Sequence, residues 1–144
     1  MGSRVVLTMM VVAASACGRL QAGESAWHTD LDKARQVAEE SNLPLLVYCT
    51  TSHCPHCVRM KQTLAAANVD RQVKAGFVAV WIDYGNDSAT CAKLGVRAYP
   101  TTVILRPNQG EVKRVVGYQG ADQFLNTLRQ AAVVVAARDA KTVK

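Results

Sequence analysis

The chain has 144 residues, which is enough for one domain of ordinary size with a real hydrophobic core. Hydrophobic residues make up 49% of it, the net charge is +6, and the charged residues are scattered without a run of like sign. We therefore expect a soluble globular protein with a weakly basic surface. No apolar run approaches the ~18–20 residues that would span a bilayer. The sequence has no basic stripe with interleaved aromatic residues, so it does not predict nucleic-acid binding.

The first 22 residues have the pattern of a targeting segment. Arg4 precedes an apolar run from Val5 to Ala16, which ends in the small residues Ala14-Ser15-Ala16. A charged start, an apolar stretch and an Ala-x-Ala end are typical of a secretory signal peptide, so we expect export, to the periplasm or elsewhere. The alternative is an N-terminal helix that packs on the domain. Loss of residues 1–22 would remove two arginines and no acid, leaving a net charge of +4.

Cys17 follows these small residues and precedes Gly18, an order similar to the lipobox of bacterial lipoproteins. In that motif the residue three places before the cysteine is usually aliphatic, and here it is Ala14. A lipid anchor at Cys17 and cleavage after Ala16 or Ala22 without lipidation both stay open.

The rest of the chain predicts one domain over residues 23–135 in which helices and strands alternate. Apolar residues at helical spacing predict the helices, and apolar runs of five to seven residues predict the strands. In chain order we expect a helix over 29–40, a strand over 45–50, a helix to about residue 64, a short helix over 69–75, a strand over 77–83, a helix over 87–94, strands over 101–105 and 111–116, and a helix over 121–135. The loop 106–110 contains Pro, Asn and Gly, which favours an antiparallel hairpin. Residues 136–144 are predicted to be a frayed polar tail.

The segment Cys54-Pro55-His56-Cys57 lies between a predicted buried strand and a predicted helix. A cysteine at a helix N-terminus is stabilised as the nucleophilic thiolate by the helix dipole and by unpaired N–H groups. Pro55 suits the first helical turn, where its missing N–H would have had no partner. The pattern therefore favours dithiol–disulfide chemistry. The alternatives are a structural disulfide or half of a zinc site, which would need two further ligands.

A second segment, from Lys93 to Thr102, contains Tyr99-Pro100-Thr101. Together with the two cysteines it resembles the thioredoxin superfamily, over roughly residues 27 to 132. The resemblance implies an α/β thioredoxin fold with a central mixed sheet flanked by helices. It also implies that Pro100 is cis and packs beside Cys54 and Cys57, and that Tyr99, Pro100 and Thr101 receive the backbone of a substrate peptide.

By the same resemblance, the chain is a thiol–disulfide oxidoreductase that acts on protein thiols and disulfides. Cys54 would be the exposed nucleophile and Cys57 the more buried resolving cysteine, which displaces the mixed disulfide. A redox partner protein, which could be membrane-bound, would supply or accept the electrons. We expect no organic cofactor, no metal requirement and no oligomer beyond the monomer.

His56 bears on the direction of the reaction. The Pro-His dipeptide matches the motif of the oxidising enzyme DsbA, and an imidazole that favours the Cys54 thiolate would make the pair a stronger oxidant. The alternative is a solvent-facing histidine with little influence. The chain is too short for the helical domain inserted in DsbA and looks closer to the reductant domain at the C-terminus of DsbD proteins. The direction therefore stays open.

The chain departs from cytoplasmic thioredoxins at three positions. Their buried aspartate, six residues before the first cysteine, is replaced by Tyr48, and a nearby lysine is replaced by Ala79. We expect Tyr48 to pack in the core; the alternative is that its hydroxyl stands in for the acid, directly or through water. The tryptophan before the first cysteine is replaced by His53. We do not expect His53 to have an essential role.

Two cysteines remain, and two rival functions stay open. Cys49 is predicted to be a small core residue, and a disulfide between Cys49 and Cys91 is a minority expectation. A Cu(I)-binding module would hold a soft metal with the Cys54–Cys57 dithiol and His53 or His56. A thioredoxin-like chaperone would not need the dithiol.

Overall fold

The computed structural model describes residues 27–142. The predicted signal peptide, Cys17 and the last two residues lie outside the described residues. Within them, no helix is long and apolar enough to span a membrane. The elements are α1 (Leu31–Ser41), β1 (Leu45–Thr50), α2 (Pro55–Ala65), α3 (Ala67–Gly76), β2 (Val78–Asp83), α4 (Ser88–Lys93), β3 (Thr101–Arg106), β4 (Gly110–Val116) and α5 (Ala121–Thr142).

The four strands form one mixed sheet in the order β2-β1-β3-β4. β1 pairs parallel with β2 and antiparallel with β3, and β3 and β4 form the predicted antiparallel hairpin. Because β1 is central and fully buried, the residues that follow it leave the sheet in its middle. This position brings the Cys54–Cys57 segment beside the loop that enters β3.

Two hydrophobic clusters cover the two faces of the sheet. One packs α1 and α4 against alternate residues of the strands, including Cys49. The other packs α2, α3 and α5 against the opposite face, including Tyr48. Neighbouring residues of β1 thus point into different clusters, as the two-residue period of a strand requires. This arrangement confirms the predicted α/β fold, in which helices flank a central mixed sheet.

Local sequence explains where the helices begin. The Asp30 carboxylate accepts hydrogen bonds of 3.0 Å from the backbone N–H groups of Asp32 and Lys33, capping α1. Asp87 caps α4 in the same way, through a 2.9 Å bond from the Thr90 N–H.

The predicted end of the last helix is wrong. α5 continues from Val135 to Thr142, through most of the segment predicted as a frayed tail. The cause is Arg106, a buried cation at the end of β3 whose guanidinium binds both carboxylate oxygens of Asp139, at 3.1 and 2.8 Å. A buried charge needs a partner, and this pair ties the last turns of α5 to the sheet.

Candidate active site

Cys54 and Cys57 lie at the N-terminus of α2 and form a disulfide, with 5.2 Å between their Cα atoms. Cys54 is the N-cap residue, and its Sγ accepts a hydrogen bond of 3.1 Å from the Cys57 N–H. Pro55 is the first residue of α2, as predicted from its missing N–H. The helix contains Arg59 and Lys61 and no carboxylate, so its own side chains add positive charge behind the Cys54 sulfur.

The two cysteines differ in exposure. Cys54 is half-buried, whereas Cys57 is 1% exposed. Of the two sulfurs, that of Cys54 is therefore the more accessible from solvent.

The loop before β3 forms the other wall of the site. The Tyr99–Pro100 peptide bond is cis. The Cys54 Sγ lies 3.7 Å from the Tyr99 carbonyl oxygen. The Cys54–Cys57 segment and the Tyr99–Pro100 loop are therefore in contact.

The three residues of this loop are not equally accessible. Tyr99 is half-buried, whereas Pro100 and Thr101 are buried. The Pro100 carbonyl accepts a 2.7 Å hydrogen bond from the Gly117 N–H, and the Thr101 hydroxyl donates one of 2.7 Å to the Ala98 carbonyl. Pro100 and Thr101 thus hold the loop, and Tyr99 forms its surface.

Both histidines of the segment are exposed. His56 lies in the first turn of α2, and His53 adopts a left-handed backbone conformation with φ of 56° in the preceding turn. Neither imidazole is buried beside Cys57. Among the described residues, no group of three or more His, Cys, Asp or Glu side chains is arranged to hold a metal ion.

Tyr48 occupies the position beneath the disulfide. It is fully buried, which confirms the expected core role, and its hydroxyl donates a 3.1 Å hydrogen bond to the Cys57 carbonyl. Burial raises the pKa of Tyr48, so the hydroxyl stays protonated. Its ring packs against Trp81, with centroids 4.7 Å apart, and Trp27 completes this aromatic cluster.

Sequence reasoning missed two features near the site. In the segment Trp27-His28, His28 extends the sheet beside β2: the His28 N–H donates to the Ala79 carbonyl at 2.9 Å, and the His28 carbonyl accepts from the Trp81 N–H at 2.7 Å. Two residues are too short a stretch to show strand periodicity, so no signal pointed to them. The second feature is Tyr84, whose ring packs on that of Tyr99 with centroids 5.6 Å apart.

The comparisons with known proteins agree with this geometry. A family model described as a thioredoxin-like domain matches residues 31–132. A thioredoxin from Thermus thermophilus is 28% identical, with 80% of this chain and 93% of that chain covered and a TM-score of 0.71. No curated protein sequence is significantly similar to this chain.

Two other solved structures share the fold at lower identity. The C-terminal domain of DsbD from Neisseria meningitidis, in its oxidised form, is 20% identical, with 74% of this chain and 99% of that chain covered and a TM-score of 0.62. The oxidoreductase DsbH is 14% identical, with 92% and 94% covered and a TM-score of 0.66. The match to the family model spans most of the chain and includes both cysteines and the Tyr99–Pro100 loop. The chain belongs to the thioredoxin-like family.

Proposed function

We propose that this protein is an exported thiol–disulfide oxidoreductase that exchanges disulfides with protein substrates. The observation that carries the proposal is the asymmetric Cys54–Cys57 pair at a helix N-terminus, with the outer sulfur in contact with the Tyr99 carbonyl. A structural disulfide has no need of an accessible sulfur placed at the positive end of a helix.

The reaction follows from the exposure of the two sulfurs. The Cys54 thiolate attacks one sulfur of a substrate disulfide, forming a mixed disulfide and releasing the other sulfur as a thiolate. The Cys57 thiolate then attacks the Cys54 sulfur, which forms the intramolecular disulfide and releases the second substrate thiolate. Two electrons pass from the dithiol to the substrate, and the reverse sequence oxidises a substrate dithiol.

Tyr99 is the residue of the loop that meets the substrate. Its carbonyl oxygen lies beside the Cys54 sulfur, where the backbone of an extended peptide would run after the mixed disulfide forms. The buried Pro100 and Thr101 position it. Beyond the neighbouring Tyr84 ring lies a shallow groove of about 500 Å³, which α4 borders and which would take the rest of such a peptide.

The test is the reduction of a protein disulfide by the purified chain. Insulin reduction by dithiothreitol is followed with and without the protein, and the matched control is the C54S/C57S double variant. We expect acceleration by the wild-type protein and none by the variant. Equal rates for the two proteins would overturn the proposal.

Export is tested separately. The full chain is expressed in a Gram-negative bacterium, and the mass of the recovered protein and its cell fraction are determined. We expect a periplasmic protein cleaved after Ala16 or Ala22, or a lipid-modified one that begins at Cys17. An uncleaved cytoplasmic protein would contradict export and leave the disulfide chemistry untouched.

A further inference from the structure

A second pair of thiols lies inside the domain, on the face of the sheet opposite Tyr48. Cys49 is on β1 and Cys91 is on α4, and both are fully buried. They belong to the same hydrophobic cluster, in which the two thiols are near enough to interact electrostatically. Two residues 42 positions apart in the chain thus meet in one buried cluster.

This thiol pair adjoins the active-site loop. The Cys91 thiol also interacts with the hydroxyl of Tyr99, whose carbonyl oxygen touches the Cys54 sulfur. The remaining surroundings of the pair are apolar side chains such as Ile82 and Val96, so within the described residues the thiols have few polar neighbours apart from each other and Tyr99. Arg114 and Asp87 also act on Cys49 through their charges.

The element that carries Cys91 is small. α4 has six residues, and among these described residues Cys91 is the one that is buried. Its outer residues Ser88, Ala89 and Ala92 line the groove beside Tyr84. Short elements with few buried side chains open locally at low cost, without unfolding the sheet. Opening of α4 would bring Cys91 to solvent while Cys49 stays on the central strand.

We propose that Cys49 and Cys91 form a second redox-active dithiol, which a low-molecular-weight disulfide converts into an intramolecular disulfide. The Cys91 thiolate attacks the external disulfide when α4 opens, giving a mixed disulfide and one released thiolate. Cys49, after losing its proton to solvent, attacks the Cys91 sulfur and releases the second thiolate. Two protein thiols are oxidised and one external disulfide is reduced to two thiols. The proposal does not depend on the function of Cys54 and Cys57.

The first experiment removes the active-site pair from the full chain, as C54S/C57S. The folded variant is equilibrated with oxidised glutathione, alkylated and digested with trypsin. Cleavage after Arg35, Arg59, Lys74 and Lys93 places Cys49 in the peptide 36–59 and Cys91 in the peptide 75–93. We expect these two peptides to be disulfide-linked. We also expect a melting temperature several degrees higher than in the reduced variant, because the link shortens the loops of the unfolded chain.

The matched control is C54S/C57S/C91A, which keeps Cys17 and Cys49 and should show neither the linked peptide nor the rise in melting temperature. A second measurement needs no change at the active site. Full oxidation should lower the mass of the wild-type chain by about 4 Da, two hydrogens for each disulfide, and that of C91A by about 2 Da. Free Cys49 and Cys91 thiols after equilibration, glutathione adducts without a link, or a link that forms only in denaturant would each overturn the proposal.

Discussion

The buried hydroxyl of Tyr48 donates a hydrogen bond of 3.1 Å to the carbonyl oxygen of Cys57. This bond connects the centre of the sheet with the first turn of α2, where a helix carbonyl would otherwise have only its intrahelical partner. It fixes the depth of Cys57 relative to the strand. The acid of cytoplasmic thioredoxins is thus replaced at this position by a neutral hydroxyl, which donates a hydrogen bond and stays protonated.

Replacing Tyr48 with Phe removes this bond and retains the ring. We expect the free energy of unfolding to fall by about 1–2 kcal/mol, because the hydrogen bond is buried. Chemical denaturation of the oxidised protein measures the change. Tyr118→Phe, at a half-buried tyrosine beneath Arg59, is the control and should shift stability by less than about 0.5 kcal/mol. Equal shifts for the two variants would show that the Tyr48 hydroxyl does not stabilise the fold.

The stability of the protein should fall in alkaline solution because of Cys49. Burial, followed by the neighbouring Cys91, raises the pKa of the Cys49 thiol from 9.0 to about 12. Above pH 9 the unfolded chain loses this proton while the folded protein keeps it. The contribution of this thiol is therefore complete below pH 9 and is lost as the pH rises toward 12, by at most about 1.4 kcal/mol per pH unit.

Cys49→Ala should flatten this decline, measured from denaturation midpoints between pH 8 and 11. Val47→Ala removes an apolar side chain from the same face of β1 and is the matched control. It should lower stability at every pH and leave the slope unchanged. A slope in Cys49→Ala as steep as in the wild type would assign the alkaline decline to other groups.

Asp139 should stabilise the fold through Arg106. The side chain of Arg106 is 7% exposed and that of Asp139 is 34% exposed. Asp139→Ala leaves a buried cation without its anion, and we expect a loss of about 2–3 kcal/mol in the free energy of unfolding. Glu40→Ala, at an exposed carboxylate in α1, should cost less than about 0.5 kcal/mol. If Asp139→Ala is as mild as Glu40→Ala, the pair does not hold the end of α5.

Some of these structural features could be predicted from the sequence, and others could not. β1 and β2 were predictable because they are apolar runs covered on both faces, and Cys54, Pro55 and Cys57 were predictable because spacing and helix chemistry agree. The last turns of α5 were not, since their polar residues match a tail until Arg106 is known to be buried. The Tyr48 bond was also hidden, because its acceptor is a backbone carbonyl and carries no side-chain signal.

His56 should make the Cys54–Cys57 pair more oxidising. An imidazole beside the first helical turn favours the Cys54 thiolate, and stabilisation of the reduced form raises the reduction potential. In His56→Ala we expect the potential, measured by equilibration with glutathione buffers, to become more negative by on the order of 30 mV. His53→Asn, which suits the left-handed conformation of the neighbouring turn, is the control and should leave the potential in place. If the potential shifts in His53→Asn but not in His56→Ala, then His53 and not His56 tunes the reduction potential, and the prediction is wrong.

The most direct test of the account is the capture of a substrate by single-cysteine variants. Reduced C57S and reduced C54S are each mixed with a disulfide-bonded protein, and covalent complexes are separated on a non-reducing gel. We predict that C57S accumulates a mixed disulfide through Cys54, whereas the buried Cys57 left in C54S captures at least about tenfold less. Equal capture by the two variants, or capture by C54S alone, would contradict the assignment of Cys54 as the attacking residue.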